Sequence, residues 1–245
     1  MTTLPKLSEL TSSERRELFA YLRTAITHHS NAMEGVSLTY GETKRLLEEG
    51  FTAPNKPLSD HLIILGFANA FDEVVLESYA RQPLTTSFIK DLHATLFKTA
   101  LAACPDKIDK PVGAYRTDER YIVGLSAPLA SPRQISNQLE NLLYVNQPKS
   151  MQDIAKFHID FELIHPFADG NGRVGRLLIT YQSIQNDLIP PLIENEHRKD
   201  YLNAISDPAA LTDFLYEAQK QSYHFVEERH QQNKQDREPD IELDL

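Results

Sequence analysis

The sequence has little cysteine, fewer basic than acidic residues and no long apolar run, and each shortage excludes a class of protein. Its one cysteine, Cys104, rules out an internal disulfide and a cysteine-rich zinc site, as is typical of a reducing compartment. Lysine and arginine total 25 against 35 acidic residues, a formal charge of −10, so no broad nucleic-acid surface is expected. Any anion-binding site must therefore be local.

No stretch of about 18 uninterrupted apolar residues is present, which argues against a membrane span. The start, MTTLPKLSEL, has no basic segment followed by an apolar one, as a secretory signal would have. We therefore expect a cytoplasmic protein. With 245 residues, 41% of them apolar, the chain can fill a core of its own.

Apolar residues recur at helical spacing along nearly the whole chain, which predicts an all-α fold. The first helix begins with a capping-box pattern, Thr11 with Glu14, and is expected to end at Gly35 in a left-handed cap. Further helices are predicted over 39–49, 59–80, 85–101, 132–146, 151–164, 171–187, 195–206 and 209–230. The segment GAYRTDERYIVG, residues 113–124, alternates like strands and predicts a short β-hairpin.

The chain divides into an N-terminal helical segment (1–50), a main helical domain (51–230) and an acidic tail (231–245). The tail, QQNKQDREPDIELDL, is polar with few large apolar groups, so we expect it to be disordered. No stretch rich in glycine, proline or serine predicts a linker between two separate domains.

Residues 165–176, HPFADGNGRVGR, concentrate the chemistry of the chain. Pro166 disfavours helix at His165, so this imidazole is expected where a helix gives way to a loop. The glycines allow a tight turn, and RVGRLLITYQSI begins a helix whose free amides point back at the loop. Arg173 and Arg176 lie on one face of its first turn. Two or more phosphates are the natural ligand of such a site.

Two further residues of this stretch suit phosphate chemistry. Asp169 would repel phosphates unless it held a hard cation such as Mg²⁺, which bridges carboxylate and phosphate oxygens. Histidine side chains titrate near neutral pH, so His165 is suited to take a proton from an incoming hydroxyl. His158, seven residues earlier, is interpreted as a packed or hydrogen-bonded residue, because no third ligand is spaced to complete a metal site.

In this order the residues resemble the signature of the Fic family, H-x-F-x-[D/E]-G-N-G-R-x-x-R, and every defined position matches. The flanking helices, the hairpin segment and NEHRKDYLNAI are also similar to that fold, so residues 51–230 are identified as a Fic domain. The resemblance implies a helical bundle with a short β-hairpin flap. It also implies transfer of AMP from ATP onto a Ser, Thr or Tyr hydroxyl of a target protein, accompanied by self-modification.

Carried over by position, the resemblance implies His165 as the general base and Asp169 as the ligand of Mg²⁺, or of Mn²⁺ in its place. The residues implied to bind phosphate are Gly170, Asn171, Gly172, Arg173 and Arg176. Tyr201, in RKDYLNAI, corresponds to an aromatic residue of the adenine pocket. Leu202 stands where a second aromatic is frequent, which leaves the preferred nucleotide open.

The resemblance also implies where a target protein binds. The flap, 113–124, would hold a target segment as an added strand through backbone hydrogen bonds. We therefore expect the backbone, rather than the side chains of Arg116 or Tyr121, to provide the contact. Phe167 would pack inward and fix the catalytic loop.

A second motif, SNAMEG, occupies residues 30–35. It places Glu34 near the negative end of its own helix dipole, at a cost of about 0.3–1 kcal/mol, and a solvated surface glutamate is the ordinary explanation. Ser30, Glu34 and Gly35 also match the inhibitory motif of the Fic family, [S/T]-x-x-x-E-[G/N]. That match implies an N-terminal inhibitory helix, in which Glu34 pairs with Arg176 and takes the space that the γ-phosphate needs.

Three functions stay open at this point. The first is an autoinhibited protein adenylyltransferase, the second a hydrolase that removes AMP from protein with the same residues, and the third a non-catalytic nucleotide-binding module. ATP and a target protein are the expected partners, without direct nucleic-acid or membrane binding. The sequence leaves the oligomeric state open and is compatible with a homo-oligomer.

Overall fold

The computed structural model describes residues 4–121 and 129–235, with side chains through Arg229. Over these residues the chain is all-α, as the sequence predicts. The helices are α1 (Ser12–Ala32), α2 (Tyr40–Glu49), α3 (Leu58–Tyr79), α4 (Thr86–Ala103), α5 (Ile135–Val145), α6 (Met151–Ile164), α7 (Asn171–Gln185), α8 (Arg198–Ala204) and α9 (Pro208–Gln235). Short 3₁₀ turns are formed by Leu7–Glu9, Pro105–Lys107 and Asn195–His197.

The two ends of α1 differ in how well the sequence predicts them. At its start the predicted capping box is present: Thr11 Oγ1 accepts the Glu14 amide at 3.3 Å, and Glu14 Oε2 accepts the Thr11 amide at 2.6 Å. At its other end α1 stops at Ala32, short of Gly35, because the backbone tightens there to hydrogen bonds spanning three residues. Gly35 itself has the expected left-handed backbone, with φ of +87°.

Helix α7 is the central element of the described structure. Of its 15 residues only Gly172 and Gln185 are not buried. It packs against α3, α6, α1 and α4, and Leu177 and Leu178 belong to a core shared with residues of α1, α3, α4, α5, α6 and α9. Burying one leucine side chain stabilises the fold by about 1.5–3 kcal/mol. The first turn of α7 is therefore fixed by the packing of the whole helix.

The N-terminal segment 1–50 shares this core. Leu18 and Leu22 of α1 are fully buried and belong to the same cluster as Phe67 and Phe71 of α3. A second cluster joins Met33, just after α1, to Tyr201 of α8 and to residues of α6, α7 and α9. The end of α1 is thereby held by apolar contacts on the same side of the molecule as α8.

The predicted hairpin over 113–124 is not supported. Residues 113–121 contain no strand, and 122–124 lie outside the described residues. The alternation of the sequence was misleading because Arg116 is 2% exposed and turned inward, where it hydrogen-bonds to backbone carbonyls of neighbouring loops. The Arg116 guanidinium donates to Asp118 O within this segment and to His165 O and Ala130 O outside it.

The C-terminal helix α9 runs to Gln235. The predicted disordered tail begins too early at residue 231, because residues 231–235 continue this helix. Residues 236–245 lie outside the described part of the chain, and for them the disordered tail stays a prediction. In the described residues, none of the helices combines the length and the apolar character required to cross a bilayer.

Candidate active site

His165 caps the C-terminal end of α6 in an unusual backbone conformation. Its φ of 49° and ψ of 60° are left-handed, and its amide donates to Phe161 O at 2.9 Å. Non-glycine residues adopt this region rarely, and it occurs preferentially where the surroundings impose it. The side chain is 23% exposed. The imidazole is thus held at the surface by a constrained turn, where the sequence predicts it.

Arg116 supplies much of that constraint. Its Nε donates to His165 O at 2.7 Å and its Nη1 to Asp118 O at 2.6 Å, while Nη2 donates to Ala130 O. The Arg116 amide also donates to Pro166 O at 2.9 Å. This residue therefore fixes the turn from the segment predicted as a flap. No sequence pattern indicates that role, because the partners are backbone carbonyls.

The loop between α6 and α7 is fixed from inside by Phe167 and Asn171. Phe167 is fully buried, as predicted. Asn171 Oδ1 accepts the Phe167 amide and Asn171 Nδ2 donates to Phe167 O, both at 2.8 Å. Both polar atoms of Asn171 are thus used to hold the loop, and its predicted contact with phosphate stays a prediction.

His93 of α4 holds the same loop from the other side, a role that is not predicted from the sequence. Its ring stacks on Phe167 at 4.0 Å between centroids. Its Nδ1 accepts the Gly113 amide at 2.9 Å, so Nε2 carries the proton and donates to Asp169 O at 3.0 Å. Burial lowers the pKa of His93 to about 4, which keeps the ring neutral at neutral pH.

Asp169 and Arg173 form an ion pair at the mouth of the loop. Asp169 Oδ2 accepts from Arg173 Nη2 at 3.1 Å, and its Oδ1 accepts the Gly170 amide at 2.6 Å. Arg173 is 4% exposed and lies over the Phe97 ring at 4.6 Å, whereas the Asp169 side chain is 54% exposed. Gly170 makes the turn possible, with φ of +79°.

Arg176 is paired with the end of α1, as predicted. Its Nη2 donates to Glu34 Oε1 at 2.7 Å and to Ser30 O at 3.0 Å, and its Nε donates to Ser30 Oγ at 2.8 Å. The arginine side chain is 5% exposed and the glutamate 31%. The predicted Glu34–Arg176 pair is thus present in the geometry, and Ser30 adds two further hydrogen-bond acceptors for the same arginine.

The position of Glu34 resolves the electrostatic difficulty seen in the sequence. A Cβ on Gly172 would lie 2.8 Å from Glu34 Oε1, so the carboxylate lies against the first turn of α7. Free amides and the positive end of the helix dipole meet it there. The charge that is unfavourable at the end of α1 is therefore favourable at the start of α7, in the place where phosphate is expected.

Tyr201 and His158 lie beneath Arg176. Tyr201 is 1% exposed, its ring centre lies 6.0 Å from the Arg176 guanidinium, and its hydroxyl is 2.7 Å from His158 Nε2. His158 is therefore a hydrogen-bonded core residue, as interpreted from the sequence. The Tyr201 ring has no open face for a base in this arrangement, and its predicted contact with adenine stays a prediction.

Glu162 is the other residue of the site that is not predicted from the sequence. It is 9% exposed on the last turn of α6, and its Oε2 lies 3.7 Å from His165 Nδ1. Burial raises the pKa of Glu162, but His165, His158 and Arg176 outweigh it, so the pKa is lowered overall. An ionised carboxylate thus lies below the predicted base. Its one sequence signal is an acid within the apolar run MQDIAKFHIDFELI.

Asp169 suits a cation that is shared with phosphate. No group of three or more His, Cys, Asp or Glu able to hold a metal alone is found in residues 4–121 and 129–235. Mg²⁺ commonly uses one or two carboxylates and completes its shell with phosphate oxygens and water. The exposed carboxylate beside the α7 amides fits that pattern.

Residues 83–183 match the model of the Fic/DOC family. The match covers α4 through most of α7, including the loop from His165 to Arg176. The chain contains a Fic domain. The left-handed histidine, the glycine turn and the two buried arginines are therefore the Fic motif in its folded form.

Curated relatives of this Fic domain are named as enzymes. The chain is 29% identical over 182 residues to proteins named protein adenylyltransferase fic-1 from Caenorhabditis briggsae and Caenorhabditis elegans, matching 71% of this chain and 34% of each relative. It is 26% identical over 181 residues to protein adenylyltransferase Fic from Nematostella vectensis, matching 40% of that protein. The chain thus spans about a third of the length of the first two relatives.

Solved structures share the fold. A Fic domain containing signaling protein from Bacteroides thetaiotaomicron superposes with a TM-score of 0.79 at 23% identity, covering 90% of this chain and 91% of that one. Fic-1 from C. elegans superposes with a TM-score of 0.71 at 23% identity, covering 94% and 69%. The resemblance in fold thus extends well beyond residues 83–183.

Proposed function

We propose that this chain is a protein adenylyltransferase, which transfers AMP from ATP to a Ser, Thr or Tyr hydroxyl of a target protein and of itself. The observation that carries the proposal is the position of Arg173 and Arg176 on the first turns of α7, directly after the loop that begins with the constrained His165. The names of the curated relatives support the same activity. Residues 1–50 and 51–230 would act together as one catalytic unit, and we propose a cytoplasmic location from the single cysteine.

In the proposed mechanism the phosphates of ATP lie against the amides of Gly170 and Gly172, where a helix N-terminus favours negative charge. Arg173 and Arg176 neutralise the β- and γ-phosphates. Asp169 would hold Mg²⁺, or Mn²⁺, which when bound neutralises charge on the α- and β-phosphates. Asn171 keeps this surface in shape through the backbone of the loop.

His165 then acts as the general base. It takes the proton of the target hydroxyl, the hydroxyl oxygen bonds to the α-phosphorus, and pyrophosphate leaves with the electron pair of the broken bond. The segment around Arg116, which fixes His165, is proposed to border the path of the target. Positioning and charge neutralisation do most of the work in such a reaction.

We further propose that Glu34 autoinhibits the reaction. Its carboxylate holds Arg176 and lies against Gly172, so it competes with the γ-phosphate for one position. Ser30 and Gly35 set the geometry of the competing group. A buried ion pair of this kind need not add much stability, yet it selects between two states of a site.

The proposal is tested by labelling a host lysate with ATP that carries label in the α-phosphate. Wild type, Glu34→Gly and the double variant Glu34→Gly/His165→Ala are compared. We expect weak labelling with wild type, strong labelling with Glu34→Gly and none with the double variant. Labelling that persists without His165 would contradict the mechanism, and no His165-dependent reaction on any protein would favour a nucleotide-binding module.

A hydrolase that removes AMP from protein is the second candidate. It is favoured by the exposure of the Glu34 side chain, 31%, which leaves carboxylate surface free to orient a water beside the phosphates. AMP-modified protein incubated with wild type and with Glu34→Gly separates the two functions. Removal that requires Glu34 supports hydrolysis, whereas removal by neither protein supports transfer.

A further inference from the structure

We propose that Glu162 is a positioning residue for His165: it fixes the imidazole in the tautomer with the proton on Nδ1 and leaves Nε2 to accept the proton of the target hydroxyl. This inference rests on the proposed transfer reaction and concerns the same site. It adds a residue that lies outside the stretch from His165 to Arg176.

The geometry that carries the proposal is a carboxylate beneath the base. Glu162 Oε2 is 3.7 Å from His165 Nδ1, an ion-pair distance that a small side-chain movement shortens to a hydrogen bond. His165 Nδ1 is buried and has no hydrogen-bond partner among residues 4–121 and 129–235. The ring as a whole is 23% exposed, so its open edge is the one that carries Nε2. The Glu162 carboxylate thus lies next to the buried Nδ1 and leaves Nε2 free.

The carboxylate is ionised because of the groups that face it. These are His165 from the turn, His158 from α6, Arg176 from α7 and Tyr201 from α8. His158 is neutral, because burial lowers its pKa to about 4. Arg176 is therefore the standing cationic partner of the carboxylate. When His165 takes up a proton, the resulting charge is met by Glu162.

Gly175 provides the space for this arrangement. A Cβ at that position would lie 2.7 Å from Glu162 Oε1 and 2.8 Å from His158 Cε1. Real Cβ contacts are almost never so short, so any side chain on Gly175 would displace the carboxylate or the ring. A glycine inside a helix costs about 1 kcal/mol relative to alanine. The close packing against Glu162 explains why a glycine stands at position 175, within the first turns of α7.

The proton step balances within these residues. The O–H bond of the target hydroxyl breaks as its proton bonds to Nε2, and the oxygen keeps the electron pair with which it attacks the α-phosphorus. The imidazolium then has protons on both nitrogens, one of them facing Glu162. The carboxylate stabilises this cation without itself taking the proton, since its pKa is lowered.

The experiment reads the tautomer directly, without any need for catalysis. Long-range proton–nitrogen NMR of protein that carries isotope-labelled histidine distinguishes a proton on Nδ1 from one on Nε2. The signal of His165 is assigned as the one that disappears in His165→Ala. Wild type, Glu162→Gln and the control Asp160→Asn are compared. Asp160 lies on another face of α6, so the control removes the same charge from the same helix.

We expect the Nδ1 proton in wild type and in Asp160→Asn, and a shift towards the Nε2 tautomer in Glu162→Gln. A wild-type His165 that carries its proton on Nε2 overturns the proposal, even if Glu162→Gln fails to fold. A folded Glu162→Gln with an unchanged tautomer overturns it as well. These outcomes hold even if the chain transfers no AMP, so failure of the inference and failure of the proposed function are distinguishable.

Steady-state kinetics of AMP transfer, measured in the Glu34→Gly background, provide a second test of the role of Glu162. For Glu162→Gln we expect kcat to fall by about tenfold or more with little change in KM for ATP, because general-base catalysis is impaired and nucleotide binding is not. The acidic limb of the pH–rate profile should move to lower pH, since the carboxylate no longer favours the protonated imidazole. Glu162→Asp should recover part of kcat. A change in KM alone, with both limbs in place, would assign Glu162 a structural role only.

Discussion

Two ion pairs lie on the first turns of α7, and they differ in where the acid comes from. Asp169 precedes Arg173 by four residues in the same loop, whereas Glu34 is 142 residues away from Arg176 in sequence. The first pair forms whenever the loop folds. The second pair forms only when the end of α1 lies against α7, so its presence depends on the position of α1.

The two pairs also face different surroundings. The Asp169 side chain is 54% exposed and the Glu34 side chain 31%, while both arginines are nearly buried. In the proposed reaction Asp169 helps to hold the substrate and Glu34 excludes it. Two pairs of the same chemistry would thus have opposite effects on rate, and removing one charge at a time tests that contrast.

The largest expected effect is on the Asp169 side. Asp169→Asn should lower transfer by about 100- to 1000-fold, because the neutral amide no longer holds the cation that neutralises the phosphates. Initial rates of label incorporation from α-labelled ATP measure it, in the Glu34→Gly background. Asp213→Asn on the exposed face of α9 is the matched control and should change the rate less than twofold. A rate at the level of the control would remove Asp169 from the mechanism.

Removing the negative charge of Glu34, the acid of the second ion pair, should raise the transfer rate instead of lowering it. Glu34→Gln should raise the transfer rate by about 10- to 100-fold, since the coupling between competing ligands of one site is commonly 1–3 kcal/mol. The same rate assay measures it, with exposed Glu49→Gln as the control. A fall in transfer with Glu34→Gln would place Glu34 in the catalytic step instead of the competition.

The next effect is on stability and concerns the core beneath Arg176. Burial lowers the pKa of His158 to about 4 from 6.5. Between these pH values the unfolded chain binds a proton that the folded chain does not, so the free energy of unfolding falls as pH drops through this range. The contribution of His158 should be smaller at pH 5 than at pH 7 by about 2 kcal/mol.

Urea unfolding of wild type and His158→Gln at the two pH values measures this contribution. Glutamine does not titrate, so the variant should lose less stability on acidification than wild type does. Equal losses in the two proteins would mean that His158 is not the group responsible. The comparison cancels the other buried histidines, which are common to both proteins.

The smallest effect separates the two partners of Arg176. Ser30→Ala removes the acceptor of Nε but keeps the backbone carbonyl and Glu34, so it should raise transfer only about fivefold, the equivalent of one hydrogen bond of about 1 kcal/mol. Ser13→Ala, at the exposed start of the same helix, is the control. An effect as large as that of Glu34→Gln would make the serine, and not the charge, the principal restraint.

The sequence was sufficient where contacts are local. The start of α7 and the place of Arg173 and Arg176 on its first turns follow from spacing within twelve residues, whereas the inward Phe167 was implied only by the resemblance to the Fic family. Thr11 with Glu14 is equally local. The link from Glu34 to Arg176 is distant in sequence, and only the resemblance to a known motif brought it within reach.

The sequence was insufficient where a side chain contacts backbone carbonyls or buried groups of segments that are distant along the chain. Arg116 resembles a residue of a polar strand, yet it is buried against carbonyls of two loops, and the predicted hairpin was wrong for that reason over 113–121. His93 and Glu162 carry no spacing pattern, because their partners are set by the packing of α4 and α6 around the motif. The roles of such residues can be recognised only from the three-dimensional structure.

The anchoring of Met33 has a consequence for how nucleotide would gain entry. Because the residue just before Glu34 is buried in the cluster around Tyr201, swinging the end of α1 outward would expose that side chain at a cost of about 1.5–3 kcal/mol. Rotating the glutamate about its own side-chain bonds avoids this cost. Admission of ATP would then be a local torsional event, leaving the backbone path of α1 the same before and after.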